Sequence, residues 1–222
     1  DPERSGTATS VNDGTLSLEP AGTRAAQPYV ALPTLPTATD PHTVSTVGVF
    51  NDRSALTDST LFEPLGLSYT TAPLASDVVS AGPASLELLL STSVPGTDIY
   101  AVVSDVWPDG SAHPVATGRL RTTYPRIDEA RSRRDSTGAI VQPYGRYDAP
   151  HPAGIGETRR YHVELWPIGN RFKAGHRIRL HIVGASAFHV PSIPAVNTVY
   201  VGGPNSSRLL LPVVPGSDLP AG

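Results

Sequence analysis

Residues 157–186, with the sequence ETRRYHVELWPIGNRFKAGHRIRLHIVGAS, contain two runs of alternating apolar and polar residues joined by a turn at 174–177. In the second run Ile178, Leu180 and Ile182 fall on one face, and basic side chains occupy the other. The first run repeats the pattern with Tyr161, Val163 and Leu165. A period of two is that of a half-buried β-strand. The stretch therefore predicts a hairpin of a β-sandwich, and it carries no catalytic motif.

The rest of the chain has the turn-rich composition of an all-β protein. Its 23 prolines and 20 glycines are spread between short apolar runs rather than gathered in one linker, and such residues separate strands. The strand-like runs are 14–18, 44–50, 65–69, 77–79, 84–93, 97–107, 116–124, 158–167, 176–183, 197–201 and 208–212. This pattern predicts a sandwich or a barrel. Only residues 126–134, preceded by Pro125, are predicted to form a helical turn or two.

The chain of 222 residues is predicted to form one domain, residues 1–222, because it shows no internal repeat and no shift in composition. Residues 1–13 are expected to be poorly ordered. Residues 25–43 and 126–156 are expected to form long loops, which are usually functional or packed against something when they exceed about 12–15 residues. Because the chain contains no methionine, the sequence also predicts a fragment of a longer protein.

Charge and composition exclude several classes of partner. A net charge of −3 gives no electrostatic reason to expect nucleic acid or an anionic membrane. No apolar run approaches the roughly 20 residues needed to span a bilayer. The absence of cysteine excludes disulfides and thiolate metal sites. We therefore expect no nucleic acid, no membrane and no cofactor as partners of this chain.

Motifs for nucleophilic catalysis are missing. The chain contains no G-x-S-x-G, the motif that places a nucleophilic serine on a strained turn. Ser186, in the sequence GASAF, lacks the second glycine and is predicted to end a strand. Residues 109–113, DGSAH, contain three residue types of a catalytic triad. Triad members meet through tertiary geometry, however, and a Pro-Asp-Gly-Ser sequence after an apolar strand predicts a turn.

Histidines and carboxylates lack the spacing of a metal or glycosidase site. The histidines that could converge as ligands are His113, His151, His176, His181 and His189. His176 follows a glycine at the start of a strand, and its side chain is expected to bond to neighbouring backbone. Asp105 and Glu164 form the only carboxylate pair worth weighing, and ordinary solvated positions are the preferred interpretation.

Two surface features remain as candidates for contacts. The basic residues of 131–134 are surrounded by Asp128, Glu129 and Asp135, which predicts a surface ion-pair network, with docking against another domain as the alternative. Tyr144, Tyr147 and Trp166 are candidates for stacking on sugars or bases, although aromatic residues make up only 6% of the chain, fewer than a dedicated stacking surface leads us to expect.

Four segments in register resemble the C-terminal domain of the X-Pro dipeptidyl-peptidase and cocaine-esterase-like serine hydrolases. They are LSYTTAPL at 67–74, with DV at 77–78 and GP at 82–83; TDIY at 97–100 through DVWPDG at 105–110; FKAGHRIRL at 172–180; and SRLLLPV at 207–213. The resemblance implies a jelly-roll β-sandwich of the galactose-binding-like type. In the family this domain packs against an α/β-hydrolase domain, which supplies the whole catalytic triad. No catalytic residue is therefore carried over, and the isolated chain is expected to be inactive.

The resemblance also implies one site. In the family, an early strand of this domain leans on the mouth of the active site, and residues 47–52 fall at about that place. Val49 and Phe50 are accordingly candidates for an apolar wall of the substrate pocket. The expected function is that of a non-catalytic accessory domain of a dipeptidyl-peptidase or acyl-ester hydrolase. The alternative is a free-standing carbohydrate-binding module, with the three aromatic residues named above at its rim.

Overall fold

The computed structural model describes residues 2–19, 22–32, 58–184, 193–203, 206–217 and 219. These residues form twelve β-strands and one 3-10 helix, which spans Thr60–Leu65. The strands are β1 (Asn12–Thr15), β2 (Ala25–Ala31), β3 (Leu67–Thr70), β4 (Val78–Thr92), β5 (Asp98–Val106), β6 (Ala112–Arg121), β7 (Arg133–Arg134), β8 (Ile140–Gln142), β9 (Arg159–Phe172), β10 (Arg177–Val183), β11 (Ala195–Val201) and β12 (Arg208–Leu210).

The main sheet folds on itself to enclose one core. Its strand order is β1-β3-β10-β5-β6-β9-β4-β11-β2, with β12 paired to β4. We call β1, β3, β10, β5 and β6 the front layer and the remaining five strands of this sheet the back layer. Apolar residues of both layers share a single core, with Ile99, Leu180 and Ile182 from the front and Leu88 and Val163 from the back. The predicted all-β sandwich is confirmed.

The seam between the layers is narrow. Strands β6 and β9 share one register pair, Gly118 with Leu165. A Cβ atom at Gly118 would lie 2.3 Å from the carbonyl oxygen of Glu164, a distance that real Cβ atoms do not reach. The missing side chain therefore allows the two backbones to meet where the sheet turns from one layer to the other.

The predicted hairpin at 157–186 is wrong, although both of its strands are correct. In the fully described stretch 58–184, β9 pairs with β4 and β6, whereas β10 pairs with β3 and β5. The connection therefore crosses from the back layer to the front layer as an arch. Gly175, with a φ of 82°, makes the turn, and Leu74 holds it through two backbone hydrogen bonds. The apolar residues of both strands face the same core from opposite sides. The basic face of β10 is nevertheless buried as well, with Arg179 and His181 inside, so the half-buried strand predicted for this run is wrong.

Three other predictions need correction. The loop predicted at 25–43 begins with a strand, β2. The runs at 77–79 and 84–93 are one strand, β4, with a register shift between Gly82 and Ala84. The helix predicted at 126–134 is limited to one turn: the Asp128 carboxylate caps it by accepting the N–H groups of Ala130 and Arg131, the Ser132 N–H donates to the Asp128 carbonyl oxygen, and β7 then leaves the turn to pair with β8. The strand predicted at 44–50 lies outside the described residues.

A buried arginine attaches the N-terminal segment to the front layer. Arg179 is 1% exposed; its Nε donates to Thr70 Oγ1 at 2.9 Å and its Nη2 to the Thr7 carbonyl oxygen at 2.8 Å. Its Nη1 donates to Glu63, in the 3-10 helix. One guanidinium thus joins a strand, a helix and the chain start.

The single-domain organisation and the poor order expected of residues 1–13 stay predictions.

Candidate functional site

The turn between β5 and β6 brings a serine and a histidine within hydrogen-bonding distance. Ser111 Oγ lies 2.9 Å from His113 Nε2 and 2.6 Å from Asp109 Oδ1. The exposed Asp109 has its pKa lowered by the hydrogen bonds from Ser111, so it is ionised at neutral pH and can only accept. The hydroxyl proton of Ser111 therefore points to Asp109, and the shared His113 nitrogen must donate. A nucleophilic serine needs the opposite arrangement, with the imidazole accepting.

The turn interpretation of 109–113 is confirmed by the backbone. Gly110, with a φ of 90°, donates its N–H to the carbonyl oxygen of Trp107 at 2.9 Å. The Trp107 ring stacks on His113 with centroids 4.0 Å apart. The arrangement fixes the end of the β5–β6 hairpin and leaves Ser111 without a base.

His176 is held by a carboxylate rather than by neighbouring backbone, so that prediction is wrong. Its Nδ1 lies 2.8 Å from Asp105 Oδ1. The register of β10 on β5 pairs Ile178 with Asp105, which places the first residues of β10 beside the end of β5. The alternation of apolar and polar residues cannot predict this contact, because the contact depends on which strands become neighbours in the sheet.

The remaining histidines are engaged separately. His151 bonds to Arg126 at 2.9 Å, and His181 Nδ1 lies 3.0 Å from Ser68 Oγ. In the described part of the chain, no group of three or more histidine, aspartate or glutamate residues could hold a metal ion. His189 and Ser186 lie outside that part.

The two candidate carboxylates bond to different partners, and so do the arginines of residues 131–134. Asp105 bonds to His176, whereas Glu164 accepts a hydrogen bond from Gln142 on the surface of β9. The predicted ion-pair network contains the contact of Arg134 with Glu129 at 2.7 Å. Arg131 instead stacks over the ring of Tyr144, 3.7 Å from its centroid.

One cavity lies outside the core, between β6, β9 and the connection of residues 122–158. We call it the aromatic cavity, and its volume is about 430 Å³. Trp166 and Tyr147 line it together, whereas Tyr144 does not. The polar groups in its wall come from both sandwich layers and from this connection: Thr117, Arg119, Arg126, His162 and Glu164.

Comparison with known protein families identifies the family of this chain. Residues 4–209 match the X-Pro dipeptidyl-peptidase C-terminal non-catalytic domain. The chain belongs to this family.

Relatives of this C-terminal domain family are much longer proteins. A Mycobacterium tuberculosis protein that carries the name of a serine esterase is 32% identical over 154 residues, which are 67% of this chain and 24% of that protein. The cocaine esterase of Rhodococcus sp. is 26% identical over 229 residues, covering 93% of this chain and 35% of the esterase. The chain thus spans about a quarter to a third of these relatives.

Solved structures show the same fold. An α-amino acid ester hydrolase matches with a TM-score of 0.70 and 20% identity, over 90% of this chain and 35% of that one. A CocE/NonD family hydrolase from Staphylococcus aureus matches with a TM-score of 0.67 and 18% identity, over 90% and 34%. The jelly-roll sandwich expected from the resemblance is therefore the fold of this X-Pro dipeptidyl-peptidase C-terminal domain.

The predicted pocket wall cannot be placed on this fold. Val49 and Phe50 lie outside the described residues, and their role stays a prediction. No helix among the described residues is long and apolar enough to span a bilayer.

The domain also contains a charge cluster around one buried carboxylate, which the sequence pattern does not predict. Glu87, on β4, accepts hydrogen bonds from Arg208 at 2.8 and 3.0 Å and from Arg160 at 3.1 Å. Burial acts to raise the pKa of Glu87, but the hydrogen bonds and charges of these arginines outweigh it and hold the pKa below its usual value. His162 Nδ1 lies 3.8 Å from the same carboxylate. The cluster joins β12 and β9 to opposite edges of β4.

Acidification is expected to destabilise the domain, first through His162. Burial lowers the pKa of this imidazole, so the folded state binds fewer protons than the unfolded state, whose histidine pKa is about 6.5. Neutral His162 therefore contributes its full stability above about pH 6.5, and this contribution is lost as the pH falls from there through the pKa of His162 in the folded state. Glu87, also lowered, adds a second loss below roughly pH 4.3. Urea titrations at about pH 7.5 and about pH 5.5 measure the first step.

The matched variants are His162→Gln and His151→Gln. In His162→Gln the free energy of unfolding should fall less between the two pH values than in the parent sequence. In His151→Gln it should fall by the same amount as in the parent sequence. An undiminished decline in His162→Gln would show that the proton is taken up elsewhere.

Proposed function

We propose that this chain is the accessory domain of a larger serine hydrolase, of the dipeptidyl-peptidase or acyl-ester type, and packs on its α/β-hydrolase catalytic domain. One observation carries the proposal. The chain belongs to a family of C-terminal non-catalytic domains, and two relatives named as esterases are three to four times longer than the segment they share with it. The additional length in such proteins has room for the catalytic machinery.

The chemistry of the described residues supports an accessory role. A serine hydrolase needs a serine whose proton passes to an imidazole and an imidazole oriented by a third group. Here Ser111 donates to Asp109, and the carboxylate-bound histidine, His176, contacts a tryptophan rather than a serine. The parts of a triad are present in this region without the proton path that would connect them.

The physical role we assign to the domain is to stabilise the catalytic domain and to narrow the entrance to its active site. Interfaces between domains of one chain bury about 600–1,500 Å². Val49 and Phe50 would supply an apolar wall at that entrance. The support for this part is the position of residues 47–52 in the family resemblance. Contact with substrate through one apolar side chain changes kcat/KM by about tenfold or more.

The isolated chain is expected to hydrolyse neither Ala-Pro-p-nitroanilide nor p-nitrophenyl acetate above the rate of its Ser111→Ala variant, because Ser111 donates its proton to Asp109 and Ser68, which lies beside His181, is buried away from substrate. The measurement is a chromogenic assay of both purified proteins.

In the parent hydrolase, Phe50→Ala is expected to raise KM while leaving the melting temperature unchanged.

Two outcomes would overturn parts of this proposal. Turnover by the isolated chain that Ser111→Ala abolishes would make the chain an enzyme in its own right. Unchanged KM in the parent Phe50→Ala variant would remove the pocket wall and leave only the packing role, which is then tested by the melting temperature of a parent lacking residues 1–222.

A further inference from the structure

We propose that the aromatic cavity binds a neutral saccharide. The proposal does not depend on the accessory role, since it concerns a surface formed by this chain alone. It rests on two exposed aromatic rings, on polar groups of both charge signs between them, and on the size of the space.

The two rings come from separate elements and meet at one cavity. Trp166, on β9, is 56% exposed, and Tyr147, in the connection of residues 122–158, is 66% exposed. The Tyr147 ring is supported from behind by Tyr124, with centroids 5.7 Å apart. Large aromatic rings left in water beside a cavity are unfavourable in the free protein and mark binding surfaces. The C–H face of a pyranose ring matches such a surface.

Hydrogen-bonding groups surround the rings. Glu164 has Oε1 held by Gln142 Nε2 at 3.2 Å, and Arg126 is held by His151 at 2.9 Å. Both side chains are thereby oriented, and each retains capacity for more hydrogen bonds because a carboxylate accepts about four and a guanidinium donates five. Vicinal hydroxyl groups of a sugar can meet either one with two parallel bonds.

The wall carries charges of both signs, which an uncharged ligand can meet without like-charge repulsion. Glu164 would face an anion with a like charge, and Arg119 and Arg126 would do the same to a cation. A neutral polyhydroxyl compound can bond to all three without unfavourable electrostatics. The volume of about 430 Å³ lies in the range of roughly 300–1,000 Å³ common for small-molecule sites.

Calorimetry of the 222-residue chain with cellobiose, maltose and lactose tests the proposal. We expect at least one disaccharide to bind, with a Kd on the order of micromolar to millimolar, and Trp166→Ala to weaken that binding by about tenfold. Glu164→Ala is expected to weaken it further than Glu164→Gln, which keeps one acceptor oxygen.

The chain offers a matched optical control because it has two tryptophans. Trp107, at the β5–β6 turn, is 38% exposed and does not line the cavity. A saccharide-induced change in tryptophan fluorescence should survive Trp107→Phe and vanish in Trp166→Phe. The opposite pattern, or affinity unchanged in Trp166→Ala, would place the sugar elsewhere and overturn the site. Absence of binding by all three disaccharides, or binding of the dipeptide Ala-Pro in their place, would overturn the ligand class.

Discussion

The Arg179→Met variant is expected to lose about 3–5 kcal/mol of unfolding free energy. The side chains of Arg179 and Glu63 are 1% and 3% exposed, so methionine would leave a carboxylate buried without its cation. The same substitution removes the bonds to Thr70 and to the Thr7 carbonyl group. Breaking one member of a buried ion pair is costly because the desolvation of the other is no longer compensated.

The double variant Arg179→Met/Glu63→Leu separates charge from packing. Replacing both charges by apolar side chains should recover most of the loss, since buried ion pairs exchanged for apolar groups are often neutral. The matched control is Arg171→Met. Arg171 is 67% exposed and forms a surface contact with Asp77 at 3.8 Å, for which we expect about 0–1 kcal/mol. Urea unfolding measures all three, and a loss in Arg179→Met no larger than in the control would contradict the role of the buried pair.

The Gly118→Ala variant is expected to destabilise the domain by about 1–3 kcal/mol or more. The new Cβ would meet the Glu164 carbonyl oxygen at 2.3 Å and a Leu165 methyl group at 2.6 Å. Backbone cannot move aside as a flexible side chain can, so β6 must shift away from β9. Since this is the register pair that joins the two layers, the shift opens the seam of the sandwich.

Gly169→Ala is the control for this substitution. Gly169 lies in β9, and a Cβ there meets nothing within 4 Å. We expect a change within about 0.5 kcal/mol. Thermal melts compare the two directly, and equal melting temperatures would show that β6 tolerates a wider spacing than the structure indicates.

The sequence predicts strands well because alternation reports burial of one face. It does not report which strand lies alongside. The alternating runs of β9 and β10 predict a hairpin, yet they belong to opposite layers, because either arrangement turns the same side chains to the core. Strand β2 lies within the stretch 25–43 that is predicted as a loop, and it contains Pro28. It ends the strand order, and an edge strand tolerates a residue that cannot donate to a ladder.

Among the candidate sites, too, local features could be predicted from the sequence and tertiary contacts could not. The turn at 109–113 could be predicted from local turn chemistry. The contact of His176 with Asp105 joins residues 71 apart and that of Arg179 with Glu63 joins residues 116 apart, so both depend on tertiary pairing. The sequence offers Tyr144, Tyr147 and Trp166 as stacking candidates, but only the folded chain shows that Tyr147 and Trp166 line one cavity and Tyr144 does not.

The bond from Arg179 to Thr7 spans 172 residues, and this separation has a kinetic meaning. Strand β10 occupies the centre of the front layer, between β3 and β5. During synthesis those two strands emerge before β10, so their inner edges stay open until the residues between Val106 and Arg177 have been made. Folding dominated by such distant pairings is slow, on the order of milliseconds to seconds. The nascent domain is therefore exposed to strand-edge aggregation until β10 closes the gap.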